Sequence, residues 1–124
     1  FSETRCLNML QLKTPLSSDE SEVLVRCLSD MEHSLKEKQS HSNQDFLKRT
    51  ALASAKEKVQ SRVYNCFYRE EITNMVFALD SLSRKCSDQL SEGIPIEEAS
   101  AVGATLRAAA TTRAKLRRAV ASQD

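Results

Sequence analysis

Residues 63–71, VYNCFYREE, hold three of the chain's six aromatic side chains, Tyr64, Phe67 and Tyr68, and run directly into charge. How this stretch is read decides the fold. From Leu16 to Glu92 there is neither Gly nor Pro, so the commonest turn signals are missing and helix ends must be read from caps and from the phase of the apolar stripe. Upstream that stripe is Leu52, Ala55, Val59, Val63 and Cys66. Continued by helical steps it calls for apolar residues at 70 and 73, where the chain has Glu70 and Thr73. The stripe changes face. Downstream a new seam runs through Ile72, Met75, Leu79, Leu82, Cys86 and Leu90. One straight helix from Asn43 to Glu92 would be roughly 75 Å long, much longer than a small domain is wide. A bend or short break is therefore expected at 65–70, between helices over 44–66 and 69–91. The competing picture is one continuous helix that buries different faces at its two ends.

Working outward toward the N-terminus, 14-TPLSSDESE-22 breaks the chain at Pro15 and then sets Ser17 three residues before Glu20. That is the spacing of a capping box, and Asp19, Glu20 and Glu22 meet the positive end of a helix dipole. A helix over 18–38 follows, with Leu24, Leu28, Met31 and Leu35 on one face. It dissolves in 38-KQSHSNQ-44, where Ser42 or Asn43 caps the next helix. A further helix is expected over 2–12. Toward the C-terminus, 91-SEGIPIEE-98 combines a glycine suited to ending one helix with a proline and two acids suited to starting another. The last helix, over 95–121, carries a seam of Ala99, Val102, Leu106, Ala109, Arg113, Leu116 and Val120. Alternating β-branched runs are missing. The expected fold is all-α, an antiparallel bundle of four to five helices forming one domain over 1–124.

The 124 residues are 40% hydrophobic and 28% charged, with two Gly, two Pro and a formal charge of +1, a composition suited to one core rather than to disorder. No apolar run approaches the roughly 18 residues of a membrane span, so a membrane is not an expected partner. Cys6, Cys27, Cys66 and Cys86 are scattered singly, matching neither C-x-x-C nor a zinc-ligand spacing. Reduced thiols in an intracellular protein, cytoplasmic or nuclear, are the simplest account; a secreted protein with two disulfides is the other.

Two features point to contact with a partner. The last helix carries Arg107, Arg113, Lys115, Arg117 and Arg118, with no acid between Glu98 and Asp124. Part of that charge complements the helix dipole, and the rest makes a basic surface. Arg113 is its sharpest member because it interrupts an apolar seam. Tyr64, Phe67 and Tyr68 lie at i, i+3 and i+4 and share a face if helical; the default for them is core, and exposed Tyr beside Arg is hot-spot composition. Catalysis has little to stand on. His33 and His41 are the only imidazoles, and no paired carboxylates, phosphate loop or metal quartet is evident, so no enzyme activity, cofactor or metal is expected. The expected function is a protein-protein interaction module, a scaffold, adaptor or complex subunit, with an acidic or helical protein as partner. The alternative is nucleic-acid binding through the basic C-terminal helix. It is weakened by the low net charge and by alanines where stacking aromatics would stand. Homo-oligomerisation is a third reading.

Overall fold

The computed structural model describes residues 9–38 and 42–121. These form four helices, α1 (Ser18–Lys36), α2 (Asn43–Gln60), α3 (Arg69–Glu92) and α4 (Ile96–Ala121), and the described chain is an all-α antiparallel bundle. Each helix touches the next, and α4 closes back on α1. α1 and α3 also meet across the middle, whereas α2 and α4 do not, so the cross-section is a rhombus with α1 and α3 on its short diagonal.

Local chemistry places the helix ends. At α1 the Ser17 hydroxyl accepts from the Glu20 N–H at 3.1 Å while the Glu20 carboxylate accepts from the Ser17 N–H at 2.8 Å. Ser42 and Asp45 repeat the reciprocal pair at α2, and the Ser42 N–H together with the Lys38 ammonium holds the Asp45 carboxyl below its ordinary range. Gly93, at φ 81°, ends α3 in a conformation that side chains resist.

The break between α2 and α3 begins earlier than the aromatic stretch suggests. α2 ends at Gln60 and not near 66, because Arg62 adopts φ 59°. The Arg62 N–H donates to the Val59 carbonyl at 3.2 Å, and the Val63 N–H reaches back to the Lys58 carbonyl at 2.9 Å. This pair of bonds is a Schellman close with arginine in the place glycine usually fills. Val63 and Cys66 consequently leave the helical stripe, and Val63 is exposed.

The helix expected over 2–12 needs correction. Residues 2–8 lie outside the described set, and residues 9–12 are extended. Leu10 and Phe67 exchange backbone hydrogen bonds at 2.8 and 3.0 Å, and the Leu12 N–H donates to the Tyr64 carbonyl at 2.8 Å. Leu10 and Leu12 are buried while Gln11 and Lys13 are exposed, the period-two pattern of a half-buried strand. The strap thus satisfies the backbone of the very loop that interrupts the helices.

Leu24 and Leu28 of α1, Leu52 and Val59 of α2, Ile72, Met75 and Leu79 of α3, and Leu116 of α4 have almost no exposed surface. Each full burial of this kind is worth about 1.5–3 kcal/mol. Phe67 joins them from the loop. Thr112, off the expected seam of α4, is equally buried, its hydroxyl donating to the Ala108 carbonyl at 2.7 Å within its own helix.

Among the described residues, an ion pair between helices stands on each of the four sides of the rhombus. Lys56 of α2 meets Glu32 of α1 at 2.7 Å, Lys58 of α2 meets Glu71 of α3 at 2.7 Å, and Arg113 of α4 meets Asp80 of α3 at 2.6 Å. Lys115 of α4 closes the ring on Glu20 of α1 and also donates to the Pro15 carbonyl at 2.9 Å. Burial pushes the Glu20 carboxyl upward, but hydrogen bonds from Lys115, the Ser17 N–H and Thr111, with the Lys115 charge, outweigh it and bring the pKa down to about 2.

Candidate interaction surfaces

The three aromatic residues of the opening stretch separate. Phe67 is wholly inside, Tyr64 is half-buried, and Tyr68 is exposed. The Lys58 ammonium organises the group: it lies 4.9 Å from the Tyr68 ring centre and 5.6 Å from that of Phe67 while pairing with Glu71. Glu71 also accepts the Tyr68 N–H at 2.7 Å, which caps α3 from its third residue. Tyr68 is therefore a surface ring held by a cation, and Phe67 presents no surface to a partner in this conformation.

The arginine-rich helix divides too. Arg113, the seam cation, is spent on Asp80, and Lys115 on Glu20 and Pro15. Both serve the fold. Arg107, Arg117 and Arg118 are exposed, but on two sides of α4. Arg107 borders a groove against α1, and Arg118 borders a second one beside Lys13 and Thr14. Arg117 borders a third, against Ile72 and Val76 of α3. The groove along α1 and α4, about 710 Å³, is the largest of those described. Its walls mix Asp19, Glu20 and Glu22 with Arg26, Arg107 and Lys115, and the remaining side chains, Val23 apart, are small.

Sequence reasoning missed the most exposed large apolar residues that stand close together in the chain. Phe46 and Leu47, in the first turn of α2, are 67% and 65% exposed, and Phe77 of α3 is 55% exposed. Lys48, the next residue of α2, lies 5.0 Å from the Phe77 ring centre, so α2 and α3 meet at that ring. One signal was available: Phe77 falls between Met75 and Leu79 of the seam, on the opposite face of the helix.

The thiols of Cys27 and Cys86 are buried, and burial pushes Cys27 up to about 12 and Cys86 upward. His33 sits at the surface, 2.9 Å from Glu37. Among the described residues no group of three His, Cys, Asp or Glu side chains is placed to hold a metal ion, and no helix is long and apolar enough to cross a membrane. Comparison with protein-family models, with curated proteins and with solved structures found no match to this chain.

Proposed function

We propose that the chain is an intracellular protein-interaction module, a scaffold, adaptor or subunit of a larger assembly, that works by presenting a rigid helical surface. The observation that carries this reading is the exposure of Phe46, Leu47 and Phe77, with Ile96 at the start of α4, on a bundle that buries most of its leucines, isoleucines and methionines in a common core. Large apolar groups left in water are what a protein partner covers. Tyr68, held by Lys58, is a second anchor of the same kind. Cys27 and Cys86 are free, buried thiols, which supports a reducing compartment.

Nucleic-acid binding through the last helix is the weaker reading. Two of its cations are consumed inside the bundle and the other three lie on two sides of α4, whereas phosphate tracking needs contiguous charge.

The test is photo-crosslinking in lysate, with a crosslinking amino acid at Phe46 or Tyr68 and a control at exposed Glu57. We expect a defined protein band from the first two positions and none from the control. Crosslinks to RNA or DNA, or equal labelling from the control, would overturn the reading.

A further inference from the structure

We infer that the groove between α1 and α3 is the docking site, and that its occupant is an acidic amphipathic helix of another protein. This rests on the interaction reading above and commits it to one place and one partner chemistry. The groove encloses about 310 Å³, with Cys27 and Ala78 at its base. Met31 and Leu35 line it from α1, Phe77 and Leu82 from α3. Its long walls are α1 over residues 27–35 and α3 over residues 77–85, each about 12 Å of helix at 1.5 Å per residue, and Lys48 of α2 also lines it. An open trough of this shape suits a third helix, whose side chains at i, i+3 or i+4, and i+7 enter between the two ridges.

Charge selects the occupant. Lys48 and Lys85 stand at the groove against one acid, Asp30. Lys48 also fixes the Phe77 ring from 5.0 Å, so the largest apolar wall is already in place before a partner arrives and little side-chain freedom is lost on docking. A helix with glutamate or aspartate flanking its apolar stripe meets the two lysines; one flanked by lysine is repelled. A second copy of this chain, docked groove to groove about a two-fold axis, would bring two lysines of each copy toward two of the other with one Asp30 apiece to offset them, which is why the occupant is assigned to another protein.

The experiment sorts a surface-displayed library of amphipathic helices, their flanks varied among Glu, Gln and Lys, against the full chain. Acid-flanked helices are expected to be enriched. Their affinity is expected to fall about tenfold with Phe77→Ala and by a similar or larger factor with Lys48→Glu plus Lys85→Glu. The doubly reversed variant should instead enrich lysine-flanked helices from the same library. Lys85→Glu alone, at an exposed position, covers the case in which changes at Phe77 or Lys48 disturb folding, and circular dichroism checks each variant. Enrichment without charge bias, no enrichment at all, or binders indifferent to all these changes would overturn the proposal. If such indifference is found while Phe46 still crosslinks a protein in lysate, the groove fails and the interaction reading stands. Mass that rises with concentration and is reset by Phe77→Ala would assign the groove to a second copy and overturn the proposal as well.

Discussion

Replacing Glu20 by glutamine isolates the charge of the most strongly perturbed carboxylate. Gln at this position still accepts the Ser17 N–H, so the capping box survives, and the change removes only the anion that faces Lys115. The Glu20 carboxyl moves from an ordinary value of 4.5 to about 2 on folding. At about 1.4 kcal/mol per pH unit, ionised Glu20 contributes about 3 kcal/mol to the folded state. Because the folded pKa is the lower one, that contribution is complete above the unfolded value of 4.5 and disappears as pH falls through 4.5 toward 2. The assay is urea unfolding of both proteins at a series of acidities from neutral to about pH 2, comparing free energies at equal slope. The wild type is expected to lead by about 3 kcal/mol near neutrality, less whatever the glutamine recovers by accepting from Lys115. The lead should shrink to near nothing at the acid end. Every other carboxylate is common to both chains and cancels in the difference. Parallel curves across the acid range would refute the claim that Lys115 and the cap together hold this carboxylate ionised.

Other outcomes follow from the same geometry. Gly93→Ala meets no atom within 4 Å, so its cost is backbone strain alone, about 1–3 kcal/mol in thermal or urea unfolding, while Arg62→Gly relieves φ 59° and is expected to gain about 1 kcal/mol. A double-mutant cycle on Asp80 and Arg113, each about one-third exposed, should return a coupling of about 0.5–1 kcal/mol, and Arg113→Glu should cost stability whether or not a partner is present. Maleimide labelling of the native protein should leave Cys27 untouched, because its thiol is buried and pushed up to about 12; Cys27 should label only on unfolding.

Much of the fold was legible because the helices announce their own ends. Ser17 with Glu20, Ser42 with Asp45, and Gly93 before Pro95 are local signals, and the helices begin and end beside them. The stop after Gln60 was not legible, since no residue type marks it; arginine holds the left-handed position that glycine would have advertised. What stabilises that stop is remote in sequence: Leu10 and Leu12 supply the loop's backbone partners from more than fifty residues away. The alternation of Leu10, Gln11, Leu12 and Lys13 is too short to separate strand from helix without its distant partner, which is how a strap came to be read as a helix. The surface was legible only in part. The aromatic stretch stood out, but which of its rings stays outside, like the fate of Arg113, depended on what the fold set opposite them. For Arg113 that was Asp80, a residue on the flank of another helix with nothing in its own neighbourhood to mark it.

Stripes of Leu, Val, Met and Ala carry the burial, yet such stripes are nearly interchangeable: sliding one helix by a turn, about 5.4 Å, sets aliphatic against aliphatic again. The ion pairs are not interchangeable. Glu20, Glu32 and Glu71 are carboxylates withdrawn from water, each opposite a cation on the neighbouring helix. A slip that separates such a pair leaves a buried charge without its partner, at about 3–5 kcal/mol, comparable to the gain from burying one or two leucines. Three sides of the rhombus carry such a pair, and the side between α3 and α4 carries the one-third-exposed Asp80–Arg113 pair, a weaker hold of about 0.5–1 kcal/mol. Apolar packing thus sets how firmly the bundle holds, and the ring of ion pairs sets which of several similar packings it adopts. The same ring explains why so basic a last helix leaves so little contiguous positive surface: its innermost cations are engaged in holding register. The most exposed aromatic groups, Phe46 and Phe77, stand at positions that no pair has to guard, and there a partner can be met without disturbing the packing beneath.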